Sequence, residues 1–195
     1  MSSVVTEKFE MVDGDSTNRQ PRWIGLALSG GGFRATLFHL GVVRYLYEAH
    51  LLPKVTLISY VSGGSILGAH FVLHWQKYTG TEKDFEAAAQ SLIRFAQLDL
   101  RGRILRRWLC GTALLIPRVL RRLSFTGLPQ QYYSTLFGQA ELSALSASEG
   151  QPELHILATS LTTGALCKFT KDGFVFDGRP IRNTSPPLSL AVAAS

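Results

Sequence analysis

Apolar positions along the first half of the chain switch twice between a strand-like run and a helical period. Residues 23–28 are a short apolar run of strand length. Ser29-Gly30-Gly31-Gly32 follows, and three consecutive glycines break either regular structure. From 33 to 49, Phe33, Leu37, Leu40, Val43 and Tyr47 recur at helical spacing, which predicts a helix. Residues 55–61 are rich in β-formers and predict a buried strand. Gly63-Gly64 then turns the chain into a second helical stretch over 65–78, ended by Gly80. Strand, glycine turn, helix, repeated once, is a βαβα unit. It predicts an α/β domain whose central sheet is mostly parallel.

Downstream the pattern predicts a surface helix over 84–98 and mixed helix and loop over 127–150. A strand is expected over 154–161. A hairpin follows, from 167–171 and 174–176 around Asp172-Gly173, and small residues start a helix at 188. The first 22 residues are polar and mixed in charge, with no apolar core of a secretory signal, and read as a flexible leader. No apolar run approaches the roughly 18–20 residues that span a bilayer.

Composition narrows the class. Hydrophobic residues make up 46% and charged residues 17%, as in a globular enzyme rather than a disordered chain. Two cysteines, Cys110 and Cys167, match no metal spacing and suit a reducing, cytoplasmic setting. The net charge of +6 is local: residues 101–122 hold seven arginines and no acid, leaving 13 basic against 14 acidic residues elsewhere. That argues against a nucleic-acid coat and for one local anionic partner.

Two glycine turns carry the candidate chemistry. Ser62 stands at the strand-to-helix turn Val61-Ser62-Gly63-Gly64-Ser65. A sharp turn there lifts a serine hydroxyl clear of the sheet, the geometry of an activated nucleophile. A serine before a helix is equally an ordinary N-cap. Ser65 is the lesser candidate, because no glycine stands two residues after it. Gly30, Gly31 and Gly32 precede a helix and can supply free N–H groups to an oxyanion. Such donors are worth roughly 3 kcal/mol apiece. Arg34 either supports that loop or is an exposed first-turn residue. The same glycines fit a dinucleotide turn, but that fold wants an acid about 20 residues on. None occurs between Glu48 and Glu82, and no Gly-Lys-Ser/Thr ending is present, so no nucleotide is expected.

Leu28-Ser29-Gly30-Gly31-Gly32-Phe33-Arg34-Ala35, with His39-Leu40-Gly41 beyond it, resembles the glycine-rich oxyanion box of patatin-like phospholipases, relatives of the cytosolic phospholipases. Val61-Ser62-Gly63-Gly64-Ser65 resembles their nucleophile elbow. The later phrases Leu157-Ala158-Thr159-Ser160-Leu161-Thr162-Thr163-Gly164 and Leu190-Ala191-Val192-Ala193-Ala194-Ser195 resemble a core strand with its turn and a small-residue helix. The resemblance spans 24–195. It implies a three-layer patatin-like domain over 23–195 and a serine acyl hydrolase acting on fatty acyl esters of lipids through a Ser–Asp dyad, with no cofactor. Ser62 carries over as nucleophile, Gly30, Gly31 and Gly32 as oxyanion loop and Arg34 as its cation, while His39 reads as a packed helix residue.

Two departures accompany the resemblance. Tyr60 replaces the first glycine of the usual Gly-x-Ser-x-Gly elbow, and must find room against the following helix. The family's aspartate lies beyond the last phrase, where this sequence stops, so the domain is expected to be incomplete at its C-terminus. Asp172-Gly173 and Asp177-Gly178 come earlier and read better as turns than as the missing base. The alternative function is a catalytically inactive lipid- or membrane-binding fragment of the same fold.

Residues 101–123 interleave an apolar stripe with Arg103, Arg106, Arg107, Trp108, Arg118, Arg121 and Arg122, broken at Gly111 and Pro117. Two short basic amphipathic helices fit an anionic membrane surface, and equally a core-packed pair with solvated arginines. His70 and His74 are four apart on the second helix. Without a third ligand they read as a structural pair, not a metal site.

Overall fold

The structure, a computed structural model, describes residues 23–97, 127–146, 150–181 and 186–195. The leader and the basic segment of the sequence analysis, including Arg103, Arg106, Arg107, Trp108, Arg118, Arg121 and Arg122, lie outside them.

Six strands form one sheet in chain order: β1 (Ile24–Leu28), β2 (Val55–Val61), β3 (Glu153–Thr159), β4 (Leu166–Thr170), β5 (Gly173–Phe176) and β6 (Arg179–Ile181). β1, β2 and β3 run parallel; β4, β5 and β6 then alternate as antiparallel neighbours. The sheet is thus mixed, with its parallel half at the start of the chain. The crossover helix α1 (Gly32–Glu48) joins β1 to β2, and α2 (Gly63–Leu73) leaves β2 directly. Then come α3 (Trp75–Tyr78), α4 (Glu82–Ala96), α5 (Gly127–Phe137) and α6 (Leu188–Ala194).

Alternation along the strands sets which face is core. Leu28, Ile58, Tyr60, Leu154 and Ile156 are buried and stand in register across the three parallel strands. Helix α2 covers that face and is buried from Gly63 through Val72, as expected of a helix apolar on all sides. α1, α4, α5 and α6 pack around it. On the other face Gly25, Ala27, Leu57 and Val61 are exposed. Of the three layers the resemblance implies, the described residues supply the sheet and one helical layer.

The predicted elements recur with shifted ends. The helix expected over 65–78 begins two residues earlier and divides at His74, whose φ and ψ of −110° and 30° leave the helical region. The bend lets Trp75 and Tyr78 both pack edge-on against Phe71, with ring centroids 5.2 and 5.1 Å away. The hairpin turn sits on Lys171 and Asp172, because Gly173 already pairs with Thr170. β6 was not visible in the pattern: it is three exposed residues with a central proline, as befits an edge strand. Asp177 and Gly178 form the turn before it, both at positive φ (48° and 74°), the geometry of a tight two-residue hairpin. Among the described residues, no helix is long and apolar enough to cross a membrane.

Candidate active site

Because β1 and β2 are parallel neighbours, their C-terminal ends lie side by side, with Leu28 opposite Tyr60. Each chain leaves through glycine into a helix. The loop Ser29–Gly31 therefore lies against Val61 and Ser62, at the sheet end where α/β sites form.

Ser62 is exposed and holds φ 55° and ψ −121°. Positive φ in a non-glycine residue is strained, and such strain collects at functional turns. Ser62 stands at the N-cap position of α2, but its side chain makes no cap hydrogen bond, which leaves the hydroxyl free of the helix. Its neighbours fit only as glycines. A Cβ on Gly63 would overlap the backbone carbonyl of Gly32, and one on Gly64 would stand 2.8 Å from the Leu28 carbonyl oxygen. Gly30 faces the serine directly: a Cβ there would lie 2.9 Å from Ser62 Cβ and 3.4 Å from its Oγ.

The glycine loop is held by α1. Thr36, fully buried, donates its hydroxyl to the carbonyl of Gly63 at 2.6 Å and so ties the two turns together. His39 Nε2 lies 3.0 Å from the carbonyl oxygen of Ser29. A carbonyl only accepts, so Nε2 carries the proton and His39 latches the loop to its own helix. That agrees with a packed helix residue rather than a base. Gly31 (φ 141°) and Gly32 (φ 64°) take backbone angles that favour glycine. The first N–H groups of α1 and α2 have no intrahelical acceptors, and both helix N-termini favour negative charge near Ser62.

The remaining candidates separate clearly. Arg34 is exposed in the first turn of α1 and forms no ion pair or hydrogen bond among the described residues. Ser65 is fully buried and bonded to Ser195, so it is no nucleophile. Asp172 lies at the opposite end of the sheet from Ser62. Asp177 lies at the same end, but β3 and β4 stand between β5 and β2. At about 4.8 Å per strand, that is roughly 14 Å away. Among the described residues no carboxylate or imidazole bonds to Ser62 Oγ.

Beside His70 and His74 no group of three potential metal ligands occurs among the described residues. His70 is buried between the Tyr78 hydroxyl (3.0 Å from Nδ1) and Ser91 Oγ (2.9 Å from Nε2). Ser91 spends its proton on the carbonyl of Ala88, so Nε2 donates to Ser91 and Nδ1 accepts from Tyr78. Burial, with His74 and Lys77 nearby, pushes the His70 pKa down to about 3, and the ring is neutral.

Three features escaped the sequence reading. Thr36 and Ser195 look like small polar residues within helical runs, with no local signal of a long-range bond. The third is Gly68: the room that Tyr60 needs against the following helix is made there, eight residues on, by a missing side chain.

An exposed serine at a strand-to-helix turn beside a glycine loop, each opening a helix from a parallel strand, defines an α/β protein with a patatin-like arrangement of strands and turns. The chain belongs to the patatin-like phospholipase family, whose sequence profile matches residues 26–195. No curated protein sequence matches it closely. Among solved structures it is similar to human GIVD cytosolic phospholipase A2 in complex with methyl gamma-linolenyl fluorophosphonate. The identity is 21% and the TM-score 0.60, over 88% of this chain and 29% of that one. The same enzyme with that inhibitor and terbium chloride gives 20% and 0.58 over the same shares. A third structure of it gives 19% and 0.55, over 88% and 27%. The likeness is one of fold, and the chain spans under a third of those proteins' length.

Proposed function

We propose that this protein is a serine acyl hydrolase that cleaves fatty acyl esters of lipids, phospholipids among them. Ser62 Oγ attacks the ester carbonyl carbon and passes its proton to a carboxylate. The carbonyl oxygen becomes an oxyanion facing the N–H groups of Gly30, Gly31 and Gly32, with Arg34 adding positive charge nearby. Collapse expels the alcohol, which takes the proton from the acid, and leaves the acyl group on Ser62. Water, deprotonated by the same carboxylate, attacks the acyl carbon; the second oxyanion collapses, the bond to Ser62 Oγ breaks, the serine oxygen takes the proton back and the fatty acid departs. The family resemblance makes that carboxylate an aspartate, the second member of a Ser–Asp dyad. No metal or organic cofactor takes part.

One observation carries this reading: an exposed serine at φ 55° whose hydroxyl faces Gly30 between two helix N-termini. The human enzyme of similar fold is found in complex with a fluorophosphonate inhibitor, and that chemistry suggests the test. The serine oxygen displaces fluoride from phosphorus, so a fluorophosphonate should label this protein and not its Ser62→Ala variant. Equal labelling of both would remove Ser62 from the mechanism.

A second reading, an inactive lipid-binding protein of the same fold, is favoured by the lack of a base bonded to Ser62 among the described residues. Folded protein that binds phospholipid vesicles but never labels would select it. In both readings the basic segment 101–123 docks the protein peripherally on anionic membrane from the cytoplasmic side, and neither nucleic acid nor nucleotide is a partner.

A further inference from the structure

Ser195 follows α6 and reaches the elbow from the far side. Its Oγ lies 2.8 Å from the Ser62 backbone nitrogen, 2.7 Å from Ser65 Oγ and 2.6 Å from the carbonyl oxygen of Leu157. The proton count is unambiguous. The Leu157 carbonyl can only accept, so the single Ser195 proton goes there. The Ser62 N–H and the Ser65 hydroxyl must then both donate to Ser195 Oγ. One hydroxyl thereby joins the end of β2, the first turn of α2, the end of β3 and α6, with its bonding capacity filled.

We infer that Ser195 is a positioning residue for the nucleophile: its hydroxyl anchors the Ser62 backbone in its strained conformation and keeps the Ser62 Oγ turned toward Gly30. The inference rests on the reading of Ser62 as nucleophile. Two consequences follow from the bonding. The Ser62 N–H is occupied and does not serve the oxyanion, which leaves that role to the glycine loop and the start of α2. The Ser65 proton points inward to Ser195, so Ser65 does not compete for substrate. Without the Ser195 hydroxyl, one N–H, one hydroxyl and one carbonyl lose their partner together, and the elbow can relax toward ordinary backbone angles.

The test compares Ser195→Thr with Ser195→Val, which match in shape and differ in the hydroxyl, and adds Ser195→Ala. Fluorophosphonate labelling of the whole chain is followed against probe concentration, with folding checked by circular dichroism. Threonine should label close to the parental rate. Valine and alanine should fall at least tenfold in the maximal labelling rate, with little change in the concentration giving half of it. Equal maximal rates for threonine and valine would overturn the inference. If the parental protein does not label, the functional reading fails, and the positioning role is then read from amide hydrogen exchange. Ser62 exchange at least tenfold faster in valine than in threonine supports it, and equal exchange overturns it.

Discussion

The ring of Tyr60 occupies the space that a side chain on Gly68 would fill: a Cβ at Gly68 would overlap the ring itself. Tyr60 is 1% exposed at the end of β2, two residues before Ser62, and Gly68 is on the helix the elbow starts. The bulk that replaces the elbow's first glycine is thus absorbed about one and a half turns along the next helix. Burial holds the phenol neutral, well above its usual pKa.

That pairing predicts a coupled mutant cycle. Gly68→Ala should destabilise the fold by about 1–3 kcal/mol through overpacking. Tyr60→Ala should cost about 3–5 kcal/mol through the cavity it leaves. The double variant should be more stable than their sum, because the new methyl enters the vacated space. Denaturant unfolding measures all three, and strict additivity would contradict the contact.

The glycines around Ser62 should divide by what they touch. Gly63→Ala drives a methyl into the backbone of Gly32, which cannot rotate away, so the two turns must separate and both stability and labelling should fall. Gly30→Ala presses instead on the Ser62 side chain, 2.9 Å from its Cβ. It should leave the circular dichroism spectrum intact and slow fluorophosphonate labelling at least tenfold. Parental labelling in Gly30→Ala would show that the loop does not face the serine.

His70 makes a pH prediction. Its pKa is about 3 in the folded protein and 6.5 when unfolded, lowered first by burial and then by His74 and Lys77. Above the unfolded value neither state binds the proton, and stability is at its plateau. As pH falls from 6.5 toward 3 the unfolded chain takes a proton that the folded one refuses. Stability then drops by up to about 1.4 kcal/mol per pH unit from this group. In nitrogen NMR the ring should remain the neutral Nε2–H tautomer at pH 5. Replacing His70 by Gln should flatten this part of the stability profile, and an imidazole titrating near pH 6.5 would refute the burial argument.

The arginines of 101–122 give a charge prediction independent of the site. Changing Arg106, Arg107, Arg121 and Arg122 together to Gln should weaken sedimentation with anionic vesicles and reduce its salt dependence, each basic group near such a surface being worth about 1 kcal/mol. Neutral vesicles should show little difference. Unchanged binding to anionic vesicles would return the segment to ordinary core packing.

Local pattern carried the elements of the site into view. Three glycines in a row end the strand and turn the chain, the last of them already opening α1, a β-rich run before Ser62 admits a strand, and the repeat of both implies parallel neighbours whose ends meet. Those consequences act over a few residues, and so the βαβα unit, the exposed serine and the facing loop were all legible. The antiparallel half was legible only as one hairpin, since β6 is too short and too exposed to leave a periodic trace. Tertiary structure alone decided how the elbow is held. Ser62 and Ser195 are 133 positions apart, and no local periodicity tells a serine that ends a helix from one that pins a strained turn. Such bonds exist only once β2, β3, α2 and α6 converge, because a hydroxyl's partners are set by the packing of distant backbone and not by its neighbours in sequence.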